Sequence, residues 1–256
     1  MFISHECPID LLDNSSQFND YEYSLLHLLH IPGYKDYYKM SNRMHIMDNS
    51  AYEYQFIEGG FDVDYYVEMI NEVRPTHIII PDVISDTQGT IDGFESFPFD
   101  KLEYNPKTIG VVQGRTTREL NICFDYMNEK ADVVALVFHS KAYHQGDSAN
   151  IDYNNMMGRY KFFSSIKDKL KNPCHLLGCS LPQEFMLYGD EPMIQSIDTA
   201  NPVQFGILGD TYPEDFKLVH KPRCVLSEEI ILGDTPNKDI IFKNIEKFRR
   251  MVKCAK

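Results

Sequence analysis

Three aspartates stand where short apolar runs give way to polar residues. Residues 44–47 run into Asp48-Asn49-Ser50, residues 78–80 into Pro81-Asp82, and residues 194–197 into Asp198-Thr199. Other apolar runs end in hydrogen-bonding groups too: Val111-Val112 in Gln113-Gly114, residues 133–138 in His139-Ser140, and Leu176-Leu177 in Gly178-Cys179-Ser180. A carboxylate at a buried strand end costs free energy unless something pairs with it. One such Asp alone reads most simply as a helix cap. Three of them on one face, with Gln113 and Gly178, read as an active site. Two carboxylates suit chemistry at an anomeric carbon, where one attacks C1′ of a sugar and the other manages the proton of the departing base. The transition state is oxocarbenium-like, and a carboxylate stabilises it. The third Asp and a Gln suit the edge of a purine, because Asp accepts from amino and ring N–H groups while an amide both donates and accepts.

The elements that must position these groups follow from hydrophobic pattern. Strands are predicted at residues 1–4, 44–47, 77–80, 108–112, 133–138, 175–177 and 194–197, with a further one at 204–208 or 224–226. These runs are apolar throughout and rich in Ile and Val, as parallel strands buried on both faces are. Helical spacing links Val63, Tyr66, Ile70 and Val73, ended by Pro75; Leu120, Cys123 and Met127, started at Thr116-Thr117; Tyr160, Phe163, Ile166 and Leu170; and Ile241, Ile245, Phe248 and Val252. Residues 97–107 and 139–153 read as long loops, where binding function often resides. Repeated strand–helix units, about eight in a chain of this length, predict an α/β fold of the TIM-type (β/α)8 barrel class. An open, doubly wound sheet is the alternative. No linker, repeat or low-complexity segment divides the chain, so residues 1–256 are expected to form a single domain. In a parallel barrel the strand exits share the C-terminal face, which gathers the three aspartates.

Composition narrows the function classes. The chain has 256 residues, 43% hydrophobic and 25% charged, and a net charge of −13. That charge argues against broad non-specific DNA binding, which works by Lys and Arg releasing counterions. A local basic groove from Arg115, Arg118, Lys141, Arg159, Lys221 and Arg223 is still compatible with it. No apolar run approaches the roughly 18 residues that cross a membrane, and the N-terminus lacks the pattern of a signal peptide. Six cysteines without a CxxC pair fit reduced thiols in a cytoplasmic setting. No histidine spacing suggests a metal: His139 and His144 lie on an expected loop, and His175 follows Cys174. GxGxxG and P-loop motifs are absent, and Ser50 and Ser180 lack a nucleophile-elbow context. Neither a metal nor a cofactor is expected.

In order, the strand-exit motifs resemble those of the tRNA-guanine transglycosylase superfamily. Gly110-Val111-Val112-Gln113-Gly114, followed by Arg118-Glu119-Leu120, is similar to that family's G-I-V-Q-G motif. Asp48-Asn49-Ser50-Ala51-Tyr52-Glu53 resembles D-S-G-G-F-Q, and Pro81-Asp82 stands where the family has a base-recognising Asp. His175-Leu176-Leu177-Gly178 resembles the L-x-x-G strand whose backbone reads the base. Ile197-Asp198-Thr199-Ala200-Asn201-Pro202 resembles F-D-C-V-L-P and F-D-S-A. The likeness spans roughly residues 44 to 205. It departs from the family at Asn49 and Ala51 and lacks the C-x-C-x-x-C plus His pattern of the zinc subdomain. A compact, zinc-free chain is most similar to the DpdA-type DNA-guanine transglycosylases of phages.

The resemblance implies a pentosyltransferase that replaces guanine in DNA by a 7-deazaguanine base. It implies Asp198 as nucleophile and Asp48 as acid/base group. Asn49, Tyr52, Asp82, Gln113, Gly114, Leu177 and Gly178 are the implied substrate-binding residues, with Tyr52 stacked on the base. The expected partners are DNA and the free 7-deazaguanine base, with tRNA as alternative substrate and no membrane; a homodimer is compatible with the sequence. A phage protein acting in the host cytoplasm fits the acidic, Asn- and Tyr-rich composition. Exchange on tRNA with a partner subunit and a non-catalytic module that reads modified bases are the competing readings.

Overall fold

The computed structural model describes residues 1–143, 148–179, 181–212 and 233–254. Eight strands are present among the described residues: β1 (Phe2–His5), β2 (Glu22–Leu25), β3 (His45–Asp48), β4 (His77–Ile79), β5 (Lys107–Val112), β6 (Val133–Val137), β7 (Cys174–Leu177) and β8 (Ile194–Thr199). Helices between and after them are α1 (Leu12–Ser15), α2 (Pro32–Met40), α3 (Val63–Val73), α4 (Thr87–Ser96), α5 (Thr117–Lys130), α6 (Ile151–Ile166), α7 (Phe185–Tyr188), α8 (Asn201–Ile207) and α9 (Lys238–Cys254). All neighbouring strands pair in parallel, in the order β1-β8-β7-β6-β5-β4-β3-β2. That order curls into a nearly closed (β/α)8 barrel of the TIM type. A doubly wound sheet reverses its strand order at a switch point, and here there is no reversal. No helix among the described residues is long and apolar enough to cross a membrane.

The barrel lacks one ladder, between β1 and β2, and side chains stand in for it. Asp20 accepts from the Ile3 N–H at 2.9 Å and Asn19 from the His5 N–H at 2.8 Å, while Asn19 donates to the His5 carbonyl at 3.2 Å. The free edge of β1 is therefore satisfied without a partner strand, which is what keeps a buried edge tolerable. Tyr21 closes the seam from inside, donating its hydroxyl to the Ile197 carbonyl at 2.6 Å.

Capping fixes where helices begin beside the mouth. Thr116, three residues after Gln113, forms a reciprocal capping box with Glu119 that starts α5. Asp62, Asp86 and Asn150 cap α3, α4 and α6 through side-chain oxygens. The expected faces of α5 and α9 are buried as the spacing required, with Ile241, Ile245 and Phe248 at 0% exposure, and so is that of α3 apart from Val63, which is exposed in its first turn.

Several expectations need correction. β2 was not predicted, because Glu22-Tyr23-Ser24-Leu25 carries polar groups. Each of those groups has a dedicated partner: Glu22 pairs with Arg43 at 2.8 Å, and Ser24 bonds His45 at 2.7 Å. Residues 204–208 are not a strand; they fall at the end of α8, which Pro202 starts in its first turn. The alternative strand at 224–226 lies outside the described residues, as do Lys221, Arg223, His144 and Ser180. The stretch 97–107 and the described part of 139–153 are less irregular than expected, with single helical turns at Phe99–Lys101 and Lys141–Tyr143. Leu170 lies beyond α6, which gives way to a tighter turn, Lys167–Lys169. Arg159 is no part of a basic groove: its side chain is fully buried.

Candidate active site

Strand ends bring the singled-out residues to one face of the barrel. Asp48 closes β3, Gln113 follows β5, Gly178 follows β7, and Asp198 is the fifth residue of β8. Asp82 sits in the turn after β4.

Asp198 is 4% exposed. Its Oδ1 accepts from the Gly178 N–H at 2.9 Å and lies 3.0 Å from Nε2 of His175. His175 Nδ1 in turn lies 2.9 Å from the Ser196 hydroxyl. Gly178 reaches Asp198 because its φ is +71°, a conformation that a residue with a Cβ adopts only under strain. The register sets Ser4 of β1 beside Asp198; that hydroxyl is fully buried and has no hydrogen-bond partner.

Asp48 accepts a short hydrogen bond from the Tyr23 phenol and another from the Ser50 N–H. Burial pushes its carboxyl up to about 8, and the negative charge of Glu53 adds to the rise. The bonds from Tyr23 and Ser50 pull the other way, and Asp198 contributes a weaker upward push. Ser50 holds a left-handed backbone, φ +57°, and its hydroxyl lies 2.9 Å from Nδ1 of His27. A non-glycine residue held this way marks a loop whose shape the surroundings impose. The Tyr23 ring stacks on that of His175, with 6.2 Å between centroids and 18° between planes. A continuous line of contacts thus runs from Asp48 through Tyr23 and His175 to Asp198.

The second cluster centres on Asp82. Asn49 donates to its Oδ1 at 2.9 Å and Gln113 to its Oδ2 at 2.7 Å. Asn49 also donates to the Ile80 carbonyl, and Gln113 accepts from the Ser85 N–H at 3.0 Å. Burial raises the Asp82 carboxyl above its ordinary value, and the two amide bonds oppose that rise. Beside the cluster opens a pocket of about 320 Å³, lined by Asn49, Asp82, Tyr54, Phe61, Val83 and Ile84 among others. A carboxylate flanked by two amides beside apolar and aromatic walls is the make-up of a site for a flat, polar-edged ligand.

The remaining expected residues divide. Tyr52 is 63% exposed on the rim, edge to face with Phe56 at 5.5 Å. Gly114 packs under α5, where a Cβ would come within 2.8 Å of the Leu120 nitrogen. The Leu177 carbonyl accepts from Phe138 N–H and from Arg159, both at 3.0 Å, and the Gly178 carbonyl accepts from Arg159 at 2.9 Å. Arg159 is locked in turn by Glu184, at 2.6 and 2.7 Å. It therefore anchors the β7 exit from behind. Arg115 and Lys141 are exposed after β5 and β6, and Arg118 is exposed in the first turn of α5.

Sequence reading missed Tyr23, Ser196 and the part His175 plays. A signal for two of them was present: Ser196 and Asp198 alternate along β8, and His175 interrupts an otherwise apolar run. Among the described residues, no group of three or more His, Cys, Asp or Glu side chains could hold a metal ion.

Fold and mouth together define an acidic-mouthed (β/α)8 barrel. Comparison with protein-family models and with curated protein sequences finds no match for the chain.

Proposed function

We propose that the chain is a base-exchange transglycosylase acting on DNA, replacing guanine with a 7-deazaguanine base. One observation carries the reading: two strand-end carboxylates share one mouth, Asp48 raised by burial and Asp198 held between the Gly178 N–H and His175. Asp48, raised to about 8, holds its proton at neutral pH. Asp198 accepts from the Gly178 N–H and lies 3.0 Å from the His175 ring, which leaves its second oxygen free to bond the sugar. A carboxyl kept protonated by burial suits the acid role, and a carboxylate beside it suits the nucleophile's.

In the first step an oxygen of Asp198 bonds C1′ as the C1′–N9 bond breaks. The bonding pair leaves with guanine, and the Asp48 proton neutralises it. In the second step the incoming base loses its N9 proton to Asp48, and N9 bonds C1′ from the opposite face. The ester breaks, Asp198 returns to a carboxylate and Asp48 is again protonated. Two displacements retain the sugar configuration. Asp82, Asn49 and Gln113 supply acceptors and donors for the base edge, and the apolar wall of the adjoining pocket takes its face. The target base must leave the stack, which costs a few kcal/mol.

Support comes from the shared mouth, the divided carboxylates and the order of the strand-end motifs. The test is incubation of the purified protein with labelled 7-deazaguanine and, separately, DNA and tRNA. Label in DNA with release of guanine is the expected result. Label in tRNA alone would move the substrate to RNA. Binding of the base with no exchange on either would make the chain a binding module.

A further inference from the structure

We infer that His175 is a positioning residue: it carries its proton on Nε2, aims that N–H at Oδ1 of Asp198, and leaves Oδ2 to form the bond to the sugar. The inference rests on the transglycosylase reading for its chemistry, and on geometry for the proton's place.

The geometry admits few arrangements. Oδ1 already accepts from the Gly178 N–H, so the ring nitrogen 3.0 Å from that oxygen is placed to donate an N–H to it. Were the proton on Nδ1 alone, a nitrogen lone pair would face a carboxylate oxygen. With the proton on Nε2, Nδ1 of a neutral ring becomes an acceptor, and the Ser196 hydroxyl at 2.9 Å is placed to donate to it. Ser196 thereby selects the tautomer, as the partner of a histidine's second nitrogen commonly does. The strand register flanks His175 with Ala135 on one side and Ser196 on the other, small residues that leave the ring room to lie in the barrel. Tyr23 stacked on its face fixes the ring plane. Because the Gly178 N–H also bonds Oδ1, both donors hold the same oxygen and set the direction of the other.

Two measurements test this. Nitrogen-15 NMR of the histidine rings in the substrate-free protein, with the His175 signals assigned through His175→Gln, reads the proton's position directly. A proton on Nε2 is expected; a ring protonated on Nδ1 alone overturns the inference. The single-turnover rate of adduct formation on DNA is then compared for wild type, His175→Leu and His175→Gln. Leucine should slow the step about 10- to 100-fold, the usual effect of losing a group that orients a reacting side chain, with substrate affinity within about threefold of wild type. Glutamine, whose amide N–H can reach Asp198, should recover most of the rate. Equal loss in both variants, or loss confined to affinity, overturns the inference while leaving the transglycosylase reading in place. An Nε2 proton in a wild-type protein that forms no adduct on any nucleic acid would instead reject the chemistry and keep the ring assignment.

Discussion

The ring of Tyr23 lies almost parallel to that of His175, although the two residues stand on strands at opposite positions in the chain. Through this contact the phenol bonded to Asp48 and the imidazole beside Asp198 are joined. Neither carboxylate is therefore an independent cap, and changes at one should be felt at the other.

Tyr23→Phe keeps the ring stack and deletes the phenol bonded to Asp48. That bond lowers the Asp48 carboxyl, so its loss lets the proton bind more tightly. The alkaline limb of the exchange rate, set near 8 in wild type, should move to higher pH in a folded variant. A pH–rate profile under single-turnover conditions checks this.

Asp48→Asn should abolish exchange and at the same time stabilise the fold above neutrality. In the native protein Asp48 titrates at about 8, against an ordinary aspartate near 4 when unfolded. Between those values the folded state holds the extra proton, so stability falls as pH rises through that window. Removing the group removes the fall. Thermal unfolding at pH 6 and pH 9 should show wild type losing more than the variant, by a few degrees.

Gly178→Ala places a Cβ on a residue at φ +71°. A cost of about 1 kcal/mol or more is expected from the backbone alone. The N–H that holds Asp198 shifts with it, so activity should fall much further than stability. Denaturant unfolding and the exchange rate, measured on the same sample, separate the two effects.

Arg159→Met strands Glu184 in the interior. Breaking a buried ion pair by removing one partner costs about 3–5 kcal/mol. The double change Arg159→Met with Glu184→Leu should recover part of that stability but not the rate, because the Gly178 carbonyl loses the Arg159 donor and the Leu177 carbonyl keeps only the Phe138 N–H. A double-mutant cycle by chemical denaturation tests the coupling.

Acid should unfold the protein through its buried histidines. His5 and His45 are held at about 3, and His27 and His77 at about 4, chiefly by burial. The unfolded chain binds protons near pH 6.5 that the folded one refuses, so stability drops as pH falls below about 6.5. His5, whose ring nitrogens have no hydrogen-bond partner, is the direct case. In His5→Leu the loss between pH 6.5 and pH 4 should be shallower than in wild type.

The strands most legible in the sequence are those whose side chains are apolar on both faces, because burial between barrel interior and helix layer leaves a continuous run. β2 was hidden for the opposite reason: Glu22, Tyr23 and Ser24 are buried but each is satisfied by a residue far away in the chain. Val203, Phe205 and Ile207 alternate like a strand, yet α8 is buried on all sides and hides its helical period. At the site, the aspartates and Gln113 could be read from strand exits alone. The contacts of Tyr23 with Asp48 and of His175 with Asp198 could not, since they exist only once the barrel closes. Arg159 looked like a surface cation because nothing local announces Glu184 as its partner.

The central claim is that Asp198 bonds the sugar, and one measurement reaches it most directly. Protein incubated with a guanine-containing DNA strand and no incoming base is quenched in acid, digested and analysed by peptide mass spectrometry. A deoxyribosyl adduct on the peptide carrying Asp198, absent in Asp198→Ala while Asp48→Asn still folds, is the expected result. Full exchange by Asp198→Ala, or an adduct mapped to another residue, would contradict the account.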